Sequence, residues 1–136
     1  MHQLLSDVNL AEIEFTRSGP GLRLLLIDMH EGSPLARIDC RGVCLLRYEN
    51  YFASEQDGFA CYVGEVTARS VPADEVGLLL AAQGYGFKDG AGSVRSPKAG
   101  DYCEICLEGG EVSLTIVCRS YRIRGTSRQG KSGEQP

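Results

Sequence analysis

Residues 101–118, DYCEICLEGGEVSLTIVC, hold the strongest folding constraint in this chain, because two alternating runs meet at Gly109-Gly110. Successive side chains of a strand point to opposite faces, and a glycine pair between two such runs signals a hairpin. Placing Glu108 opposite Glu111 predicts Leu107 facing Val112, Ile105 facing Leu114 and Cys103 facing Ile116, with Cys118 one step beyond on the same side. That face is apolar and belongs in a core. Cys106 has the other parity and falls beside Glu104, Ser113 and Thr115.

This parity answers the functional question raised by Cys103-Glu104-Ile105-Cys106. Cys-x-x-Cys units that bind zinc or exchange disulfides sit on turns or helix starts, where both thiols reach one point. On a strand they point apart, and a tetrahedral site needs two more ligands. Cys40 and Cys44 are the other close pair, separated across Gly42. No metal and no cofactor are expected. The six cysteines read as reduced, largely buried thiols, because the N-terminus MHQLLSDVNLAEIEF lacks the basic and apolar regions of a secretory signal. A cytoplasmic protein is expected.

Upstream the same period recurs. NLAEIEFTRS alternates Ala11, Ile13 and Phe15 with Glu12, Glu14 and Thr16, which predicts a half-buried strand. After Gly19-Pro20-Gly21, LRLLLIDMH predicts a second strand covered on both faces, and LARIDCRGVCLLRYEN one or two more with Arg41-Gly42 as a turn or bulge. Residues 50–59 read as a loop, and ACYVGEVTARSV returns to strand character. PADEVGLLLAAQG differs: Pro72 and the acids Asp74 and Glu75 suit a helix start, Gly84 a stop, and Val76, Leu79 and Leu80 share one helical face. Residues 84–101 form a long glycine-rich connection. The expected fold is α+β, a mostly antiparallel curved β-sheet of about six to seven strands with one helix near residues 72–83. Residues 1–124 are expected to form a single globular domain and 125–136 a flexible C-terminal tail.

Charge narrows the partners. Residues 1–118 hold 9 basic against 17 acidic side chains, net −8, whereas 119–136 hold 5 against 1, net +4. An acidic body repels phosphate backbones, so no nucleic-acid binding is expected. The longest apolar run, Leu78 to Ala82, is too short to span a bilayer, and no membrane association is expected. The basic stretch Arg119, Arg122, Arg124, Arg128 and Lys131 reads as a solvated strand end and tail able to touch an anion or an acidic partner.

No catalytic constellation is complete. A nucleophilic cysteine needs a base, and the two histidines are His2, beside the initiator Met, and His30, in the turn Asp28-Met29-His30-Glu31. The glycines of GYGFKDGAG are not spaced as G-x-G-x-x-G and follow a helix, so they are no nucleotide fingerprint. The most suggestive feature is aromatic and acidic: Tyr48, Tyr51, Phe52 and Phe59 bracket Glu49, Glu55 and Asp57. Aromatics supply contact area and carboxylates steer a basic protein partner. Glu49, Tyr51, Phe52, Glu55 and Asp57 are the candidate contact residues. The bland alternative tucks Tyr48, Phe52 and Phe59 into the core.

The strand-turn-strand IDCRGVCLLRYENYF (38–52), after a hairpin containing LLLIDMHEG, resembles a pattern in small uncharacterised bacterial β-rich proteins. Some families of that kind include immunity proteins that neutralise secreted toxins. The likeness rests on hydrophobic spacing and Gly42-Val43-x-x-Leu46, covers the first half of the chain, and carries no catalytic residues. Because every catalytic constellation lacks a member, the expected function is a non-enzymatic protein-binding domain, and the resemblance adds an immunity-type inhibitor as one form of it. Two alternatives stand beside it. One is a small ligand-binding or hydrolase-like domain with a pocket between sheet and helix, near Tyr85, Lys88 and Asp101. The other is a homo-oligomer paired through an edge strand.

Overall fold

Period-two alternation over most of the chain demands a sheet, and most of its connections are too short for the crossovers that parallel pairing needs. The computed structural model describes residues 2–17, 21–51, 61–82, 87–88, 91, 94–95 and 100–125. Its elements are β1 (His2–Phe15), β2 (Gly21–Asp28), β3 (Pro34–Arg41), β4 (Leu45–Asn50), β5 (Tyr62–Val71), α1 (Ala73–Ala82), β6 (Phe87–Lys88), β7 (Val94–Arg95), β8 (Tyr102–Glu108), β9 (Val112–Cys118) and β10 (Ser120–Gly125). Eight strands form one antiparallel curved sheet in the order β10-β3-β2-β1-β5-β8-β9-β4, and β6 pairs with β7 apart from it.

The two edge strands of this sheet are not independent. Three residues separate β3 from β4, and Arg119 alone separates β9 from β10. The Arg119 N–H donates to the carbonyls of Arg41 (2.9 Å) and Gly42 (3.2 Å), and the Cys44 N–H donates to Val117 (2.8 Å). β3–β4 and β9–β10 are therefore two arms of one bent ribbon. One end of the ribbon lies beside β2 and the other beside β8, so the sheet curls around its core. Gly42 makes the corner, with φ of 64° and a Cβ position that would fall on Arg119.

The inner face is apolar from every long strand, with Val8, Leu24, Ile38, Val66, Ile105, Leu114 and Ile116 all buried. The helix covers part of the outer face. Its buried residues Val76 and Leu80 pack with Val71, Tyr102 and Val117. Val117 has the opposite parity to Ile116 and Cys118, and all three are buried, because β9 is covered on both sides.

Several expectations change. The sheet has eight strands, not six or seven, because β10 continues the chain after Cys118; the 42–44 corner divides the third run in two, as the Arg41-Gly42 turn allowed. β1 begins at His2 and pairs with β5 from His2 opposite Ala68, so the N-terminus is a strand where only 9–18 alternated clearly. Ala11 sits at a bulge between Leu10 and Glu12, and is exposed while Ile13 keeps its inward parity. The outer face of β2 is only half covered, at Leu25 and Ile27. The 84–101 connection contains β6 and β7.

The β8–β9 hairpin keeps its predicted faces but moves its register. Cys103 lies opposite Cys118, Ile105 opposite Ile116 and Leu107 opposite Leu114, two residues on from the expected partners. A two-residue shift preserves parity. The loop is longer than a tight glycine turn because residues 109–111 fold onto β5. The Glu111 N–H donates to Tyr62 O (2.9 Å), the Tyr62 N–H donates to Glu111 Oε1 (3.1 Å), and a Cβ at Gly110 would collide with the Tyr62 carbonyl.

Candidate functional site

The curled sheet leaves a gap lined by apolar side chains. β1 pairs with β5 only as far as Asn9, followed by the Leu10 N–H donating to Cys61 O at 2.9 Å. Beyond that point the far side of β1 faces β4, which among the described residues pairs with β9 alone. A groove of about 300 Å³ lies between them, lined by Leu10, Ala11, Ile13, Tyr48 and Val112, with Glu12 and Cys61 at its margins. Phe15, 67% exposed, has the same inward parity as Ile13 and extends the apolar surface along β1.

The register of β4 sorts its side chains. Tyr48 lies opposite Leu114 and so takes the core-side parity, yet it is 40% exposed because it stands at the open gap. The Asn50 side-chain amide donates to its hydroxyl at 3.1 Å. Glu49 lies opposite Ser113 on the outer face, and the hydroxyl of Tyr51, 58% exposed, donates to its carboxylate at 3.2 Å. The Tyr51 N–H donates to Glu111 O at 3.0 Å, anchoring the end of β4 to the β8–β9 loop. Burial pushes the Cys61 thiol up, with the Glu111 carboxylate adding to it.

Of the five candidate contact residues, the structure brings Glu49 and Tyr51 together on one exposed strand end. Phe52, Glu55 and Asp57 lie outside the described residues. Tyr48, weighed as core, lines the groove instead. The β1 side of the groove, Leu10 to Phe15, was missed as a site. Its alternation read only as a half-buried strand, and nothing local shows that β4 would stand across from it.

The cysteines cluster without forming a ligand set. Cys103 and Cys118 face each other inside, and Cys106 lies opposite Thr115 on the outer face. A hydrogen bond with Cys40 and then burial raise the Cys118 thiol, while burial raises Cys44, Cys103 and Cys106. Such thiols are poor nucleophiles. Among the described residues no group of three or more His, Cys, Asp or Glu could hold a metal ion. His30 is exposed in its turn, where its N–H and that of Glu31 donate to the Asp28 carboxylate. The space between helix and sheet is filled by Val71, Val76, Leu80, Tyr102 and Val117. The side chains of Tyr85 and Lys88 lie outside the described residues.

No curated protein matches the chain. A crystal structure of an uncharacterized protein from Neisseria gonorrhoeae is similar, with a TM-score of 0.56 and 17% identity over 89% of this chain and 93% of that one. At that identity the likeness concerns the fold alone. A family model described as "-like" matches residues 3–124, from the second residue of β1 to the penultimate residue of β10, and the chain belongs to that family.

Proposed function

We propose that this chain is a non-enzymatic protein-binding domain that receives a basic, aromatic-bearing partner at the groove between β1 and β4. The observation that carries this reading is an apolar groove between β1 and β4, with exposed carboxylates on both of these strands. Leu10, Ile13, Tyr48 and Val112 line a concave apolar surface together with the exposed Glu12, and Glu49 is exposed next to Tyr48 on the outer face of β4. Interfaces gain most of their affinity from a few desolvated anchors inside a polar rim. An immunity-type inhibitor of a cationic toxin, the role implied by the resemblance of residues 38–52, is the form of that function this surface suits. Such inhibitors work by occupying a partner, so no catalytic group is needed.

Comparative capture tests this. The wild-type chain and a Glu49→Lys/Tyr48→Ala double variant are immobilised at equal density and exposed to extract of the source cell and its neighbours' secretions. A basic protein retained by the wild type, released by salt and lost by the variant supports the proposal. Identical retention by both forms refutes it. Both substitutions are at exposed positions, and matching thermal melts will show that the variant is folded.

A further inference from the structure

The outer face of β2, β3 and β10 carries a second and oppositely charged surface. The inner parity of β3 belongs to Ala36, Ile38 and Cys40, so Arg37, Asp39 and Arg41 point outward. Register adds the neighbours: Arg23 and Arg122 flank Asp39, Arg124 lies directly opposite Arg37, and Ser120 lies opposite Arg41. Five arginines thus share one three-stranded face, although only Arg122 and Arg124 belong to the basic stretch visible in the sequence.

Their pairing is incomplete. Arg23 bridges Asp39 at 2.8 Å and Glu14 at 3.8 Å, and Arg124 reaches Asp39 at 3.5 Å. Among the described residues Arg37, Arg41 and Arg122 make no ion pair, and all three are exposed. Like charges directly opposite each other in a sheet are destabilising, so the Arg37–Arg124 pair works against the fold. A depression of about 320 Å³ lies beside it, lined by Asp39, Arg41, Ser120, Tyr121, Arg122 and Arg124. An anion seated there would meet the guanidinium forks of Arg41, Arg122 and Arg124, suited to bidentate contact, and an extended ligand would reach on to Arg37 opposite Arg124.

We infer that this face is a second binding surface, which takes a carboxylate-rich segment of a protein partner through Arg37, Arg41, Arg122 and Arg124. Two features favour carboxylates over nucleic acid. The chain is net negative (−4), so a long polyanion meets repulsion outside the patch. Asp39, Glu12 and Glu14 also stand within or beside the arginines, and a continuous phosphate backbone could not avoid them. A peptide can place its acids selectively. In an extended segment alternate residues repeat about every 7 Å, the same interval that separates Arg122 from Arg124 along β10.

The probe is a fluorescein-labelled peptide alternating glutamate and threonine, titrated with the full chain and followed by anisotropy. Binding should appear at low salt and fade as ionic strength rises from about 0.01 M to about 1 M, where the screening length falls from about 30 Å to about 3 Å. Arg41→Glu/Arg122→Glu should weaken it by about tenfold or more, since attraction is replaced by repulsion. Arg41→Lys/Arg122→Lys should weaken it less, because charge is kept and the fork is lost. Arg37→Gln separates binding from folding: it should reduce binding while raising or preserving thermal stability. The inference is overturned if the peptide does not bind at low salt, if charge reversal leaves binding unchanged, if Arg37→Gln destabilises the fold, or if duplex DNA of equal charge binds more tightly.

Discussion

Replacing Gly42 by alanine should destabilise the chain far more than the same replacement at Gly32, although both glycines have positive φ. Gly32 has φ of 76° and nothing within 4 Å of an added Cβ, so Gly32→Ala costs only the left-handed backbone, about 1–2 kcal/mol. Gly42 has φ of 64°, and its Cβ would lie 2.5 Å from Arg119 Cγ and 2.9 Å from Arg119 Cβ. A long side chain can swing its end away, but its Cβ is fixed by the backbone. That backbone is held by hydrogen bonds to Arg41 and Gly42. Overpacking of this kind adds about 1–3 kcal/mol, so Gly42→Ala should lose about 2–5 kcal/mol in all. Urea unfolding followed by circular dichroism gives both values. Arg119→Ala in the Gly42→Ala background removes the Cγ clash and should recover part of the difference. Equal losses at positions 32 and 42 would refute the argument that this corner is a close-packed joint, and with it the account of how β4 is set against β1.

Three further outcomes follow from the same structure. The partly buried thiols of Cys44, Cys103 and Cys106 have raised pKa values, so the unfolded chain ionises first, and their contribution is whole below the ordinary thiol range and is lost as pH climbs above it. Melting temperature should therefore fall from about pH 8.5 upward, and Cys106→Ala should flatten that fall; a pH-independent melt would contradict the burial described. On the helix, Leu80→Ala should cost about 2–4 kcal/mol because Leu80 is packed on Val71 and Val117, whereas Leu78→Lys, at a position 73% exposed, should change stability little. Arg69→Ala removes contacts to Glu104 (2.6 Å) and Glu75 (2.9 Å) that join β5, β8 and α1; solvent screening limits the loss to about 1 kcal/mol by urea unfolding, and a much larger loss would mean the bridges are better shielded than their exposure indicates.

Strand parity and one helix were legible in the sequence alone. The inward Cys103 and Cys118, the outward Cys106, the turn at Arg41-Gly42 and the apolar stripe of Val76 and Leu80 all follow from periodicity, which depends only on local backbone geometry. Register was not legible, because a shift of two residues keeps every side chain on its own face, and only the docking of residues 109–111 on Tyr62 decides between the alternatives. β10 was hidden for a related reason. Its alternation of Tyr121 and Ile123 with arginines reads equally as strand or solvated tail until β3 stands beside it. The groove and the arginine face have the same origin. Ile13 and Tyr48 line one groove, and Arg37 lies opposite Arg124, across separations of 35 and 87 residues, and no local pattern specifies which edge lies opposite which. The sequence determined which face each side chain takes. The tertiary structure alone decided which faces become neighbours, because strand pairing is a contest among distant partners, settled by the bend at Gly42 and Arg119.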